Sequence, residues 1–263
     1  MKTRITKAQK QEYDENGFIV IEDFLTPKDL KHWQQVTNEA VQERLEKRNG
    51  FNNQDDPEAY YSQVFVQCVK LLETHAGMAE IMLDPRLGKA AAALAGVDGM
   101  RIWHDQALFK PPYANPTAWH LDNPYWSFHS RQAISMWVAL DDATLMNGCL
   151  YYIPGSHKTA TYENSGIGAN MSALFKVYPE WRKINAVAAP AKAGSVVFHN
   201  GLVAHGAGAN MTAGSRRAMT CAYMPDGSTF NGVRNVLPEP YFKSLKLGDP
   251  LVDNAVNPLV WKK

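Results

Sequence analysis

The fold is decided by residues 134–157, which read ISMWVALDDATLMNGCLYYIPGSH. Two runs in this stretch, Ile134–Leu140 and Cys149–Ile153, are rich in β-branched, aromatic and other apolar residues, which is typical of short strands. Turn-forming pairs such as Asp141-Asp142 and Asn147-Gly148 separate the runs, and Pro154-Gly155-Ser156 follows the second. The stretch therefore predicts short strands joined by turns rather than βαβ units.

Further runs of the same kind extend this pattern in both directions, at Arg101–Phe109, Ser195–His199 and Arg217–Tyr223. Many short strands with frequent Gly, Pro and Asn turns are typical of a sandwich or a barrel. We predict a mainly β fold with helical decoration: a jelly roll (a double-stranded β-helix, cupin-like) preceded by N-terminal helices.

The first third of the chain has a different pattern, dominated by helix signals. Thr26-Pro27 places an N-cap hydroxyl before a proline, the usual order at the start of a helix. Asn16-Gly17 and Gly96 are typical helix stops. The predicted elements are helices at Thr6–Asp14, Thr26 to about Arg48, Tyr61–Glu73 and Pro85–Ala95, and a strand at Phe18–Ile21.

The organisation predicted from these elements is one domain over residues 1–263. It comprises a helical front at about 1–97, a jelly-roll core at about 98–226 and a C-terminal tail at 227–263. The segment Thr159–Pro190 is too long for a simple hairpin. We predict that it is a lid that hinges at Gly166-Ile167-Gly168; the alternative is a helical insertion around Met171–Tyr178, packed permanently on the barrel.

Composition excludes several classes of protein. The 263 residues are 45% hydrophobic and 20% charged, with a net charge of +1, which gives no electrostatic reason to expect nucleic acid or a membrane as partner. No apolar run approaches the ~18 residues of a membrane span, and neither end resembles a secretory, peroxisomal or lipidation signal. The three scattered cysteines are expected to be reduced thiols, so we predict a cytoplasmic protein.

A candidate metal site begins with His120 and Asp122, two positions apart in Trp119-His120-Leu121-Asp122. On extended backbone, such residues point the same way, so an imidazole and a carboxylate converge. His199 and His205 are the candidates for a third ligand. Two histidines and one carboxylate leave three positions open on a metal, as in non-haem Fe(II) oxygenases. The alternative is a structural role, in which Asp122 lies in a surface turn and accepts a backbone hydrogen bond.

A second block strengthens this interpretation. Eleven residues after His205, Arg216-Arg217 opens a predicted strand. A guanidinium near the metal can hold a distal carboxylate bidentately, which a lysine cannot do. Because neighbouring strand residues point to opposite faces, at most one of the two arginines can enter the pocket.

These blocks, together with the segment 147–157 and the start at Glu12–Phe18, resemble the phytanoyl-CoA dioxygenase family of Fe(II)/2-oxoglutarate-dependent oxygenases. The resemblance covers nearly the whole chain and implies iron, 2-oxoglutarate and O2 as cofactor and cosubstrates. It implies that His120, Asp122 and His205 bind the iron and that Arg216 binds the C5 carboxylate of 2-oxoglutarate. Trp137 and Gln106 match positions that line the 2-oxoglutarate pocket.

The resemblance implies hydroxylation of a small-molecule metabolite, with release of succinate and CO2. Asp122 is present, whereas halogenating relatives carry a small residue there. The aromatic residues Trp119, Tyr125, Trp126 and Phe128 are expected either to pack the sheet and lid or to form one wall of a substrate pocket. The alternatives are an acyl-CoA-directed hydroxylase, a zinc hydrolase with the same ligands, and a catalytically silent jelly roll that binds a metabolite.

Overall fold

Two antiparallel sheets form the centre of the computed structural model, which describes residues 1–56 and 58–263. The major sheet has seven strands in the order β1-β8-β5-β10-β3-β11, with β2 also paired to β3. The minor sheet has the order β4-β9-β6-β7. The strands are β1 Phe18–Ile21, β2 Val66–Val69, β3 Gly99–Lys110, β4 Thr117–His120, β5 Ile134–Ala139, β6 Leu150–Tyr152, β7 Val187–Ala189, β8 Val196–Asn200, β9 His205–Ala207, β10 Arg216–Pro225 and β11 Leu259–Lys262.

Four of the six helices in the described residues precede β3 in the chain and cover the outer face of the major sheet. The helices are α1 Lys7–Asn16, α2 Pro27–Lys47, α3 Ala76–Met82, α4 Pro85–Ala95, α5 Leu174–Val177 and α6 Glu239–Ser244. The first two predicted helices start at capping boxes, which Thr6 and Thr26 each form with the third helical residue. No helix among the described residues is long and apolar enough to cross a bilayer.

Two buried clusters hold the layers together. The larger packs Trp33, Met82 and Leu87 of the helices against Met136 and Phe198 on the outer face of the major sheet. The second lies between the sheets and contains Phe18, Trp137, Tyr152 and Val197. The predicted jelly roll with N-terminal helices is therefore confirmed, and residues from both sheets are brought to one interior.

The predicted helix at Tyr61–Glu73 is wrong. The chain there forms a 3₁₀ turn at Tyr60–Gln63, strand β2, and a second 3₁₀ turn at Leu71–Glu73. Strand β2 pairs with β3 in the register Val66↔Phe109 to Val69↔Gln106. Tertiary pairing therefore overrides the local helix signal, and β-branched Val66 and Val69 suit the pleated conformation.

Strands from both ends of the chain join the sheet that the sequence assigned to residues 98–226. From the front, β1 pairs with β8 and β2 with β3, and from the tail β11 pairs with β3. The segment Thr159–Pro190 likewise holds more regular structure than a loop, namely α5, a 3₁₀ turn at Pro179–Lys183 and β7. Buried Leu174, Tyr178 and Trp181 pack against Ile153 and Leu202, as the packed-insertion alternative predicts for that half of the segment.

Candidate functional site

The antiparallel pair β4–β9 places two histidines side by side. His120 ends β4 and His205 begins β9, and the two residues are direct partners in the register. Their ring centroids lie 4.2 Å apart. His120 Nδ1 bonds to the carbonyl of Ala118 at 2.8 Å, and His205 Nδ1 to that of Val203 at 3.1 Å. Because a carbonyl only accepts, each Nδ1 carries the proton and each Nε2 keeps its lone pair.

Asp122 meets these imidazoles, although not on extended backbone as predicted. Its φ of −79° and ψ of −52° place it in the helical region, just beyond β4, where it caps the 3₁₀ turn Asn123–Tyr125. The carbonyl of Gly201 accepts from the N–H groups of Asp122 and Asn123 and fixes this corner. Asp122 Oδ1 lies 3.5 Å from His120 Nε2 and 3.6 Å from His205 Nε2. The convergence is confirmed, but by a turn rather than by a strand.

The other oxygen of Asp122 is already occupied. Oδ2 accepts hydrogen bonds from Ser135 Oγ at 2.8 Å and from His199 Nε2 at 3.2 Å. Tyr152 Oη lies 3.0 Å from His199 Nδ1, so a chain of hydrogen bonds from Tyr152 orients the His199 ring. Oδ1 is thereby left facing the two free Nε2 atoms, and one ligand atom each from His120, Asp122 and His205 lies within 4.8 Å of the others.

Charge favours a cation at this point. Burial lowers the pKa of His205 well below its usual value, which keeps the ring neutral as a metal ligand must be. Burial alone would raise the pKa of Asp122, but His205, His120 and His199 together hold it well below the usual range. An ionised carboxylate beside two imidazoles is a donor set suited to a divalent metal.

His120, Asp122 and His205 line a cavity with a volume of about 180 Å³, and Arg216 lines the same cavity. Its side chain is fully buried, and none of its three guanidinium nitrogens has a hydrogen-bond partner among the described residues. The guanidinium carbon lies 5.2 Å from the Trp137 ring centre and 5.7 Å from that of Phe65. Burial lowers the pKa of Arg216 to about 10, so the group stays charged at neutral pH. A buried cation without a counter-ion is costly unless a ligand supplies the anion.

Arg217 points the other way, as the alternation predicts. Its guanidinium binds Asp141 with a nitrogen–oxygen distance of 2.6 Å and also donates to Asn38. Gln106 and His104 share a face of β3 and both line the cavity. Gln106 Oε1 accepts from Gln67 Nε2 at 2.6 Å.

The aromatic residues near His120 divide between the two predicted roles. Tyr125 and Trp126 line the cavity. Phe128 is fully buried against Trp103, and Trp119 packs on Phe175 of the 159–190 segment.

Several residues that line the cavity were not predicted from the sequence. Ser135 shares a strand face with Trp137, so period-two alternation could have found it. Phe65 and Gln67 were not predicted because residues 61–73 were wrongly assigned to a helix. Buried Thr117, whose hydroxyl has no partner in the described part of the chain, carries no motif at all.

Comparison with known proteins connects this site to a family. The model of the family described as "Phytanoyl-CoA dioxygenase (PhyH)" matches residues 13–218. A peroxisomal phytanoyl-CoA dioxygenase of Bos taurus is 25% identical over 232 residues, which cover 83% of this chain and 68% of that protein. A phytanoyl-CoA dioxygenase of Arabidopsis thaliana is 32% identical over 118 residues, 44% of this chain and 42% of that protein, so the match spans less than half of that relative.

Among solved structures, the non-heme alpha ketoglutarate dependent carbocyclase SnoK from nogalamycin biosynthesis has a TM-score of 0.79 with this chain. The two are 26% identical, and the alignment covers 97% of this chain and 96% of SnoK. A family model that spans most of the chain and a neighbour of the same architecture agree with the cavity's two histidines, carboxylate and unpaired arginine. The chain belongs to the phytanoyl-CoA dioxygenase family of non-haem iron, 2-oxoglutarate-dependent oxygenases.

Proposed function

We propose that this protein hydroxylates a small-molecule metabolite, using Fe(II), O2 and 2-oxoglutarate and releasing succinate and CO2. The observation that carries the proposal is the pairing, in one cavity, of the His-Asp-His cluster with a buried arginine whose nitrogens lack partners. A site that only bound a metal, or that hydrolysed a substrate, would leave this buried, unpaired arginine unexplained. A dicarboxylate that chelates the metal at one end would place its second carboxylate where this guanidinium can bind it.

The proposed iron ligands are His120, Asp122 and His205. Ser135 and His199 occupy Oδ2 of Asp122, which favours binding through Oδ1 alone. Three protein ligand atoms then leave three positions for 2-oxoglutarate and O2. When bound, iron supplies the redox chemistry, and these residues supply its position and a site screened from water.

The proposed 2-oxoglutarate residues are Arg216, Trp137 and Gln106. Arg216 offers the C5 carboxylate two parallel N–H donors, and Trp137 supports the guanidinium from its ring face. The bond from Gln67 to Oε1 turns the Gln106 amide so that its NH2 group is the free end in the described cavity. Thr117 Oγ, buried and without a described partner, is a further donor in the same cavity.

Hydroxylation rather than halogenation follows from the carboxylate. With Asp122 in place, the position that a halide would need on the metal is filled. The substrate carbon then meets a site whose lining includes the aromatic and amide side chains of Tyr61, Tyr125 and Asn235.

The metal assignment is tested by replacing one ligand. His205→Ala is expected to abolish succinate formation and to remove the visible absorption band that Fe(II) and 2-oxoglutarate give without oxygen. His32→Ala, an exposed histidine on α2, is the matched control and should leave both readouts unchanged. A His205→Ala protein that retains its circular dichroism, its iron and its rate would contradict the assignment.

The arginine assignment is tested by a pair of neighbours. Arg216→Lys is expected to weaken 2-oxoglutarate binding by about 10- to 100-fold, because at least one charge-assisted hydrogen bond is lost. Arg217→Lys, which can keep its ion pair with Asp141, should change the affinity by less than about twofold. Calorimetric titration under argon measures both, and equal losses would refute the assignment of Arg216.

We also propose that residues 1–263 act as one domain, since strands from the front and the tail complete the major sheet. The proposed compartment is the cytoplasm, supported by three buried cysteines, all of them free thiols.

A further inference from the structure

A second cavity adjoins the metal cavity. Its volume is about 600 Å³, and it lies between the segment 44–74, β3 and the tail residues 234–238. Four residues line both cavities: Gln67, His104, Gln106 and Asn235. A molecule in this space, hereafter the outer chamber, can therefore extend past these side chains towards the metal cluster. The volume is ample for a metabolite-sized ligand.

The charges that line the outer chamber are mostly positive. Arg44, Lys70 and Arg234 contribute three cations, and Glu73, paired with Lys70 at 2.6 Å, is the one acidic residue of its described lining. Arg234 donates through Nε to the carbonyl of Leu237, and no carboxylate pairs with it among the described residues. An uncompensated positive field in a cleft concentrates anions and repels cations.

The polar groups at the shared boundary are turned so that donors face the cavity. Trp103 Nε1 donates to Asn235 Oδ1 at 3.3 Å, and Gln67 Nε2 donates to Gln106 Oε1. With both carbonyl oxygens engaged, the two NH2 groups are left for a ligand.

His104 adds a buried polar atom at the same boundary. The relative exposure of His104 is 8%, and its Nδ1 has no partner in the described structure. Burial lowers the pKa of His104 to about 4, so the ring is neutral at pH 7 and offers one donor and one acceptor. An unsatisfied buried nitrogen in a cavity wall is a position that a ligand would satisfy.

We propose that the outer chamber binds the anionic end of the substrate, a carboxylate or a phosphate group. Arg234 and Lys70 are its charge partners, and Asn235 and His104 bond the part of the substrate that reaches inwards. The inference rests on the proposed function, because it takes the carbon to be oxidised as the end that lies at the metal. The charge of the outer chamber then selects the anionic end of the substrate, and the shape of the metal cavity selects the end that is oxidised. Amines are expected to bind poorly, because Glu73, the acidic residue of the described lining, is already paired with Lys70.

A series of six-carbon probes with different head groups tests this. Hexanoate, hexyl phosphate, hexanamide and hexylamine are titrated calorimetrically into the protein loaded with Fe(II) and 2-oxoglutarate under argon. One or both anions should bind at least about tenfold more tightly than the amide and the amine, and the ratio of hexanoate to hexyl phosphate identifies the head group. Equal binding of the neutral or cationic probes, or binding by neither anion, overturns the proposal.

Charge variants locate the site. Arg234→Gln and Lys70→Gln should each weaken anion binding by about tenfold, and Arg234→Glu should shift the preference towards hexylamine. Lys89→Gln removes an exposed cation of α4, outside the chamber lining, and should have no effect. Unchanged anion affinity in Arg234→Glu would refute the assignment.

Failure of the chamber and failure of the proposed function give different results. The affinity for 2-oxoglutarate and the slow succinate release without substrate report on the metal ligands and the 2-oxoglutarate residues, and they do not depend on Arg234 or Lys70. If these are normal and the anions do not bind, only the outer chamber is refuted. If 2-oxoglutarate itself does not bind, the proposed function fails regardless of the probes.

Discussion

Asp122 has two oxygens with different surroundings, and this difference determines the geometry of the site. Oδ2 is held by Ser135 and His199, while Oδ1 faces His120 and His205. If Asp122 binds iron as proposed, loss of the two donors would allow its carboxylate to rotate and bind through both oxygens, in a position that the cosubstrate needs. Groups that orient a ligand in this way contribute to metal affinity without touching the metal.

Changing His199 tests this role at the scale of one residue. His199→Leu is expected to weaken Co(II) affinity by about 10- to 100-fold, because the Nε2 donor to Asp122 is lost. His199→Gln retains an N–H donor of similar reach and should recover most of that affinity. The Co(II) absorption spectrum, which reports coordination number, should change in His199→Leu but not in His199→Gln; two variants with the same affinity and spectrum would argue against orientation by hydrogen bonding.

Motif spacing and the family resemblance together nominated the residues of the candidate site. The sequence predicted that His120, Asp122, His205 and Arg216 converge, and they line one cavity. It left the role of His199 open, because a buried histidine on a strand looks the same whether it binds a metal or a ligand carboxylate. Only the pairing of β5 with β8, which sets Ser135 opposite His199, shows that both reach Asp122.

At the scale of elements, the sequence predicted helices correctly where their start and stop signals lie within the helix itself. Helix α1 begins at a capping box and ends at Gly17, and α2 begins at Thr26-Pro27, as the sequence predicted. The segment 61–73 failed because its structure depends on β3, a partner some 40 residues further along the chain. Lys70 at a φ of +58° then ends β2, and no common signal predicts a lysine in that conformation.

Gly17 shows how closely one element end is packed. Its φ is +83°, and a Cβ at this position would overlap the imidazole of His157. Gly17→Ala is expected to lower the free energy of unfolding by about 2–3 kcal/mol, from backbone strain plus the overlap. Gly227→Ala is the control, since its φ of +91° is similar and no atom lies within 4 Å; about 1 kcal/mol is expected there.

Thermal unfolding measures both glycine variants. Adding His157→Ala to Gly17→Ala should restore the part of the stability lost to overlap and leave the part lost to backbone strain. Equal losses in the two single variants would show that His157 moves aside without cost.

The segment 159–190 combines a packed part with a candidate lid. Leu174, Tyr178 and Trp181 are buried, whereas Gly166 and Gly168 have no atom within 4 Å of an added Cβ. Ile167, between those glycines, lines the metal cavity. The lid that we predict is therefore restricted to about residues 163–171, with the helical turns behind it as a fixed base.

Hydrogen exchange distinguishes the two parts. Amides of residues 174–183 should be protected before any ligand is added, because their side chains belong to a buried cluster. Amides of 163–171 should exchange rapidly in the free protein and slow down only with metal, 2-oxoglutarate and substrate present. Uniform protection across 159–190 in the free protein would exclude a lid.

At the scale of the whole molecule, two buried groups on β3 make stability depend on pH in opposite directions. Burial raises the pKa of Asp105 from 3.8 to about 7, and burial together with Arg216 lowers the pKa of Lys110 from 10.5 to about 7. Between pH 4 and 7 the folded state holds the extra proton of Asp105, so stability falls as pH rises. Between pH 7 and 10 the unfolded state holds the extra proton of Lys110, so stability rises. Without ligands, these two groups together favour a minimum near pH 7.

Asp105→Asn isolates the acidic half of this behaviour. Asp105 is fully buried beside Cys221, its register partner, and accepts one hydrogen bond from the N–H of Leu72, which an asparagine oxygen can also accept. Since Oδ1 has no partner in the described structure, ionisation there is uncompensated, and each pH unit between 4 and 7 should cost the wild type up to about 1.4 kcal/mol. The variant should therefore be similar to the wild type at pH 4.5 and more stable by a few kcal/mol at pH 8, as measured by urea unfolding of the ligand-free protein at both values. A stability difference that does not change with pH would show that Asp105 keeps its ordinary pKa in the fold and that another group sets the slope.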